Sequence, residues 1–236
     1  RQSQWWDNGG LVAAMWHWNV PASNGSGELT TYIDQTSFDI DNVFVEGTWE
    51  YQTVNTDLEK IVGYLKLLKD ANIPVIWRPL HEAAGGWFWW GKNADSFKKL
   101  WIKMFDYFKA QGLNNLIWVW TTETGDSDWY PGDEYVDIVG RDLYGNDAVD
   151  CAAQYQIVVS EYGSKMVTLS ECGAYIDTNS ELGLLSEQWD AGARWLWFMP
   201  WYDNDGTALS HADREWWLDA MSQSYVITRD QLPSFK

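Results

Sequence analysis

Short, uniformly apolar runs recur along this chain, and they constrain its fold more than any other feature of the sequence. Each run is too short and too evenly apolar for a strand with one face in water. Each therefore predicts a strand that is buried on both faces, as in a parallel sheet. The six runs are residues 11–18, 73–80, 116–121, 136–143, 166–169 and 193–199.

Stretches with helical spacing of apolar residues separate these runs. They cover residues 58–68, 97–108, 146–160, 187–190 and 210–221. Thr56 is a candidate N-cap for the first stretch, Gly112 could end the second, and residues 210–213 resemble a capping box that opens the last. Alternation of strands and helices predicts parallel βαβ units, either in a (β/α)₈ barrel or in an open doubly wound sheet. No Gly-rich nucleotide loop follows the first run, which disfavours the doubly wound sheet.

Polar residues follow nearly every apolar run. They are His17, Arg78 to Glu82, Thr121 to Glu123, Asp142, Tyr144, Glu171 and Trp201. Barrel enzymes carry their catalytic groups at the C-terminal ends of several strands. The sequence therefore predicts one α/β domain over residues 1–236, a (β/α)₈ TIM barrel.

Only six strands are readable, whereas a barrel has eight. We expect the two missing βα units to come from a segment outside these residues or from a separate chain, because the sheet would otherwise expose long apolar edges.

Charge and composition exclude several classes of partner. The net charge is −18, from 16 basic and 34 acidic residues, which argues against nucleic acid and favours a neutral substrate. No apolar run approaches about 18 residues, so no membrane span is expected. The 19 Trp residues could stack on sugar rings, although many would simply fill a core.

No cofactor or metal site is evident in the sequence. Cys151 and Cys172 are too few for a disulfide framework or a metal site, and packing is the preferred interpretation for both. Residues 203–206 suggest a calcium loop, but the rest of an EF-hand is lacking, so a turn is expected.

Two glutamates stand at strand ends, Glu82 after the second run and Glu171 after the fifth. An isolated glutamate there could simply form a salt bridge. Glycosidic hydrolysis, however, requires one carboxyl that protonates the leaving oxygen and another that attacks the anomeric carbon or activates water. Glu82 is followed closely by four aromatic residues, and an apolar environment keeps a carboxyl protonated, which favours the acid role. For Glu171, the neighbouring Gly173 would permit an unusual backbone turn.

The motifs around both glutamates resemble those of glycoside hydrolase family 26. Arg-Pro-Leu-His-Glu at 78–82 with Gly-Trp-Phe-Trp-Trp-Gly at 86–91 resembles the acid/base region, and Leu-Ser-Glu-Cys-Gly at 169–173 resembles the nucleophile strand. Similarities at 15–21, 141–144 and 198–202 extend the match across nearly the whole chain. The resemblance implies a barrel with Glu82 on strand four as general acid/base and Glu171 on strand seven as nucleophile. Because Glu82 follows the second readable strand, the resemblance also implies that strands one and two precede Arg1.

The same resemblance implies roles for the neighbouring residues. His81 should contact the sugar in the −1 subsite, and Trp87 should line the site near the scissile bond. Tyr144 should hydrogen-bond the nucleophile, and Trp201 should stack under the −1 sugar.

Three further residues complete the expected site. Asp142 should contact sugar hydroxyls or orient a neighbour. Arg78 should keep Glu171 ionised. His17 should meet substrate, with a buried structural histidine as the alternative.

The resemblance implies retaining endo-hydrolysis of β-1,4-mannosidic bonds in mannan, galactomannan or glucomannan, by a secreted or cell-envelope enzyme. Exo-acting release of mannobiose, β-1,3-xylanase and mixed-linkage glucanase activity remain alternatives within the family. A non-catalytic carbohydrate-binding barrel is an alternative of another class, disfavoured because both glutamates are present.

Overall fold

The computed structural model describes residues 2–174, 181–202 and 211–235. The chain divides into two compact units, one up to Asp137 and one from Ile138 onward. In the described residues, each unit contains three parallel strands, and each of these six strands overlaps one of the six apolar runs. The predicted parallel strands are thus confirmed. Four of them, at residues 75–79, 116–122, 138–144 and 166–173, are largely buried as expected, whereas the strands at 12–16 and 198–200 are only partly covered.

The first unit alternates parallel strands with long helices and adds a short hairpin. Its elements are α1 (Gln2–Asp7), β1 (Val12–Trp16), β2 (Val20–Pro21), β3 (Leu29–Thr30), α2 (Trp49–Asp70), β4 (Val75–Pro79), α3 (Ala94–Ala110) and β5 (Leu116–Thr122). β4 lies between β1 and β5 and is parallel to both, whereas β2 and β3 pair antiparallel.

The core of the first unit is rich in aromatic residues. α3 buries Phe97, Trp101 and Phe108 completely, and the rings of Trp101 and Phe108 lie 5.6 and 5.9 Å from the Trp118 ring of β5. Each buried side chain of this size contributes about 1.5–3 kcal/mol. The predicted α3 therefore forms because its apolar stripe covers the sheet, and it ends before Gly112, whose φ is +79°.

The predicted start of α2 was wrong. The helix begins at Trp49 rather than after Thr56, and its N-cap is Thr48, whose Oγ1 accepts a hydrogen bond from the Tyr51 amide at 3.1 Å. The same hydroxyl lies 2.8 Å from the carbonyl oxygens of Asn42 and Val45. Thr56 lies exposed within the helix.

The second unit repeats the alternation with shorter helices. Its elements are β6 (Ile138–Tyr144), α4 (Ala148–Glu161), β7 (Met166–Gly173), α5 (Leu185–Asp190), β8 (Phe198–Pro200) and α6 (Arg214–Ser222). β7 lies between β6 and β8 and is parallel to both.

The start of α6 also differs from the expected capping box. Asp213 caps the helix by accepting from the Trp216 amide at 2.8 Å. Ser210 and the turn expected at 203–206 lie outside the described residues.

Across the described part of the chain, helices fall short of the combined length and apolarity that crossing a bilayer demands.

The cap assignment predicts how two threonine variants will differ. Thr48→Ala should lower the free energy of unfolding by about 0.5–2 kcal/mol, because the Tyr51 amide loses its acceptor. Thr56→Ala, in the helix interior, should change stability by no more than about 0.5 kcal/mol. Urea denaturation measures both, and equal stabilities for the two variants would contradict the assignment.

Candidate active site

The backbone turns sharply where β4 ends. Leu80 and Glu82 both adopt left-handed φ values, 51° and 52°, on either side of His81. A non-glycine residue in this region costs on the order of 1–2 kcal/mol, and such strain concentrates at functional sites. The strained backbone thus changes the direction of the chain at the end of β4, and with it the direction of the His81 and Glu82 side chains.

The loop that follows holds this turn in place. The Trp90 indole donates to the carbonyl of His81 at 2.9 Å, and the Trp89 indole donates to the carbonyl of Trp18 at 2.7 Å. Gly91 is required because a Cβ there would lie 2.5 Å from the Ala83 carbonyl oxygen. Trp89 and Trp90 are therefore structural, whereas Trp87 is 42% exposed and available to a ligand.

His17 and His81 form a pair at the ends of β1 and β4. Their rings lie 5.2 Å apart, and Phe88 packs 5.1 Å from the first and 4.9 Å from the second. His17 Nε2 lies 3.1 Å from the Thr31 hydroxyl, which comes from the segment after β3. Burial, and next the positive charge of Arg78, lower the pKa of both histidines. Both are therefore neutral near pH 7, the state that suits contact with an uncharged ligand.

Arg78 is buried and held on two sides. Its Nε donates to Thr121 Oγ1 of β5 at 2.9 Å, and its Nη1 lies 2.9 Å from Met15 Sδ on β1. Neighbouring strands on both sides therefore fix the guanidinium, and only 6% of the residue is exposed.

The second unit places three predicted residues on adjacent strands. Asp142 on β6 is the register partner of Glu171 on β7, and the Tyr144 hydroxyl donates to Glu171 Oε2 at 2.8 Å. Glu171 is 4% exposed, so this bond satisfies a carboxylate that has little access to water. The predicted contact between Tyr144 and Glu171 is thus present.

A β-bulge sets the direction of Glu171. Arg141 pairs with Leu169 and Asp142 pairs with Glu171, so Ser170 is an extra residue in β7. The Ser170 hydroxyl donates to Asp142 Oδ1 at 2.6 Å, which fixes the aspartate. Bulges commonly redirect side chains next to active sites.

Gly173 serves a different purpose from the one expected. Its φ is not in the left-handed region; instead, a Cβ there would lie 2.7 Å from His211 Cβ. The glycine thus makes room for His211, whose ring packs edge-on at 5.8 Å from Tyr144. His211 lies just before Asp213, the N-cap of α6.

Trp201 follows β8, and its amide donates to the Cys172 carbonyl at 2.9 Å. The bond ties this partly exposed tryptophan to the residue after Glu171. Cys151 and Cys172 are free and buried, as expected for packing. Burial, and secondarily nearby acidic groups, raise the pKa of Cys151 to about 12.

The structure assigns the sequence-predicted residues to two groups, one in each unit. The first unit contains His17, Arg78, His81, Glu82 and Trp87, and the second contains Asp142, Tyr144, Glu171 and Trp201. Sequence reasoning missed Thr31, Ser170 and Met15 as neighbours of these side chains. Only Ser170 had a local signal, its position directly before Glu171.

The histidine pair predicts a pH dependence of stability. Because the folded state lowers both pKa values, the unfolded chain binds more protons than the folded chain below about pH 6.5, the ordinary value. The free energy of unfolding should therefore be fully present above that pH and fall as the pH drops toward the folded-state values. His17→Gln should make the decrease between about pH 7 and pH 5 shallower. Urea denaturation across this range measures the slope, and an unchanged slope in the variant would contradict the assignment.

Relatives of known sequence match the chain over nearly its full length. It is 36% identical over 98% of its residues to mannan endo-1,4-beta-mannosidase B of Piromyces sp., and 36% identical over 98% to a mannan endo-1,4-beta-mannosidase of Thermothelomyces thermophilus. The chain spans 39% and 48% of the lengths of these two proteins.

Solved structures show the same similarity. The GH26 domain of an endo-beta-mannanase/endo-beta-glucanase from Prevotella bryantii matches with a TM-score of 0.90 and 39% identity, over 97% of this chain and 74% of that one. A beta-mannanase from a symbiotic protist of the termite Reticulitermes speratus, complexed with gluco-manno-oligosaccharide, matches with a TM-score of 0.84 and 40% identity, over 98% of this chain and 71% of that one. These similarities confirm the predicted (β/α)₈ fold class.

The family model of glycosyl hydrolase family 26 matches residues 1–231. The match confirms the resemblance seen in the motifs: the chain belongs to glycosyl hydrolase family 26.

Proposed function

We propose that the chain is the catalytic part of a retaining endo-β-1,4-mannanase, acting on internal bonds of mannan, galactomannan or glucomannan. The observation that carries the proposal is the buried Glu171 carboxylate, which accepts a 2.8 Å hydrogen bond from Tyr144 on the neighbouring strand. The names of the relatives support the reaction and the polysaccharide.

Glu171 is the proposed nucleophile. The bulge at Ser170 fixes where its side chain leaves the strand, and the Tyr144 hydroxyl holds Oε2 so that Oε1 can approach an anomeric carbon. A carboxylate that receives a hydrogen bond stays ionised more readily, as a nucleophile must. Arg78 is proposed to favour the same ionised state.

Glu82 is the proposed general acid/base. In the first step its proton passes to the glycosidic oxygen while Glu171 bonds to the anomeric carbon, and the bond to the leaving sugar breaks. In the second step Glu82 takes a proton from water, which displaces Glu171 and restores the original anomeric configuration. The left-handed backbone at Glu82 sets the direction in which its side chain leaves the end of β4.

The remaining predicted residues suit a neutral sugar. His17 and His81 are held uncharged, so they can exchange hydrogen bonds with hydroxyls. Asp142, fixed by Ser170, offers a carboxylate acceptor. Trp87 and Trp201 are proposed to stack on sugar rings, since both retain exposed surface.

The site of action is proposed to be outside the cytoplasm, at the cell envelope or in the medium, because a polysaccharide substrate is too large to enter a cell.

The activity can be tested with soluble galactomannan and a reducing-end assay. The chain should release reducing ends, and Glu171→Ala should reduce the rate by several orders of magnitude because the covalent route is lost. Glu161→Ala, at the exposed end of α4, is the matched control and should retain full activity. Binding of galactomannan without hydrolysis would identify a carbohydrate-binding module instead.

Substrates with different leaving groups distinguish the role of Glu82 from that of Glu171. Glu82→Gln should lose most of the rate on natural mannosides, whose leaving oxygen needs a proton, and should spare the glycosylation step for aryl mannosides with good leaving groups. Pre-steady-state release of the aryl group measures that step. Equal losses for both substrates would refute the acid role of Glu82.

Trp201→Ala distinguishes a sugar platform from a core residue. The variant should lose about ten- to a hundredfold in kcat/KM, equivalent to about 1–3 kcal/mol of ring contact with the transition state. Its Tm should match that of Trp217→Ala, a control at a 42% exposed tryptophan of α6. A large loss of Tm with unchanged kcat/KM would place Trp201 in the core.

A further inference from the structure

A cleft of about 370 Å³ lies in the first unit between the β2–β3 turn and the first turns of α2. We call it the hairpin cleft. Its side chains include Asn24 and Ser26 from the turn and Trp49, Gln52, Thr56 and Asp57 from one face of the helix. Small-ligand sites begin at a volume on the order of 300 Å³, so the cleft is large enough for one or two sugar rings.

The turn on one side of the cleft is held by its own hydrogen bonds. The Ser26 amide donates to the Ser23 carbonyl at 2.9 Å, and the Glu28 amide donates to Ser26 Oγ at 3.1 Å. A Cβ built at Gly25 would meet nothing within 4 Å. Hydrogen bonds within the turn therefore hold its shape, and the space beside Gly25 is open.

The carboxylate of Asp57, on α2, is oriented by a hydrogen bond from a buried side chain. Asp57 Oδ2 accepts from the buried Trp18 indole at 2.7 Å, which orients a half-buried side chain on α2. A carboxylate can accept about four hydrogen bonds, so Asp57 keeps capacity for a ligand. Trp49 supplies a partly exposed ring, which Phe38 holds edge-on at 5.1 Å.

The chemistry of the lining points to a neutral ligand rich in hydroxyl groups. The lining contains one acidic side chain and no basic one, so an anion would be repelled. Amide and hydroxyl groups from Asn24, Gln52 and Thr56 can both donate and accept, as sugar hydroxyls require. An indole beside them suits the apolar face of a sugar ring.

We propose that the hairpin cleft is a second carbohydrate-binding site, which holds one or two mannosyl units of the polysaccharide apart from the catalytic residues. The choice of mannose rests on the proposed function. A chain held at both places stays bound between cleavage events, so the cleft should matter for insoluble mannan and not for short soluble oligosaccharides.

Hydrogen–deuterium exchange with mannohexaose tests the site directly, with Glu171→Gln used to prevent turnover. Residues 22–28 and 49–57 should be protected by the sugar. In Asn24→Ala/Gln52→Ala the protection should require at least about tenfold more sugar, because two hydrogen bonds are lost. The matched control, Gln4→Ala/Asn114→Ala at exposed positions, should behave as the parent. Trp49→Leu, which keeps apolar contact with Phe38, should also lose the protection, with its Tm measured alongside.

The outcomes separate this proposal from the proposed activity. Protection confined to segments around Glu82 and Glu171 would overturn the cleft, and so would protection of 22–28 and 49–57 by calcium chloride but not by mannohexaose. With Glu171 intact, Asn24→Ala/Gln52→Ala should hydrolyse mannohexaose normally and insoluble mannan several-fold more slowly; equal rates on insoluble mannan would also overturn it. Protection of the cleft in a chain that hydrolyses no mannan would uphold the cleft while refuting the activity.

Discussion

The hydrogen bond from Tyr144 to Glu171 is the interaction on which the proposed chemistry depends. It joins β6 to β7 across the bulge at Ser170, and it satisfies a carboxylate that is 4% exposed. A buried carboxylate without such a donor would tend to take up a proton and lose its nucleophilicity. Ser170, the extra residue of the bulge, also donates a hydrogen bond from its hydroxyl to Asp142 on β6, which fixes that side chain.

In the first unit, strained backbone helps to position the proposed general acid/base, Glu82. Leu80 and Glu82 occupy left-handed conformations that L-residues rarely adopt, and surrounding contacts must maintain them. The Trp90 bond to the His81 carbonyl and the close approach of Gly91 to Ala83 provide that support. Much of the tryptophan content near Glu82 therefore builds the loop, while Trp87 alone of the run at 87–90 remains open to a ligand.

Sequence reasoning located the strands and the two glutamates because those signals are local. A strand buried on both faces appears as an unbroken apolar run, and a polar residue at its end stands out. The start of α2 was missed because its cap, Thr48, lies before the part of the helix with clear apolar spacing. The Thr48 hydroxyl is held by the Asn42 and Val45 carbonyls, and that spacing does not show these contacts. The contact between His17 and Thr31 depends on how the short hairpin between them folds. The bulge at Ser170 depends on the register between β6 and β7, which the sequence of β7 alone does not determine. Gly173 was assigned to a turn because its neighbour in space, His211, is distant in sequence.

The central claim is that Glu171 forms a covalent bond with the sugar. An activated 2-deoxy-2-fluoro-mannoside slows release of such an intermediate, so peptide mass spectrometry of the treated protein can locate it. We expect one fluoromannosyl group per chain, on the peptide that contains Glu171, and none in Glu171→Ala. Labelling of Glu82 instead, or turnover of the reagent with inversion and no labelled peptide, would contradict the account.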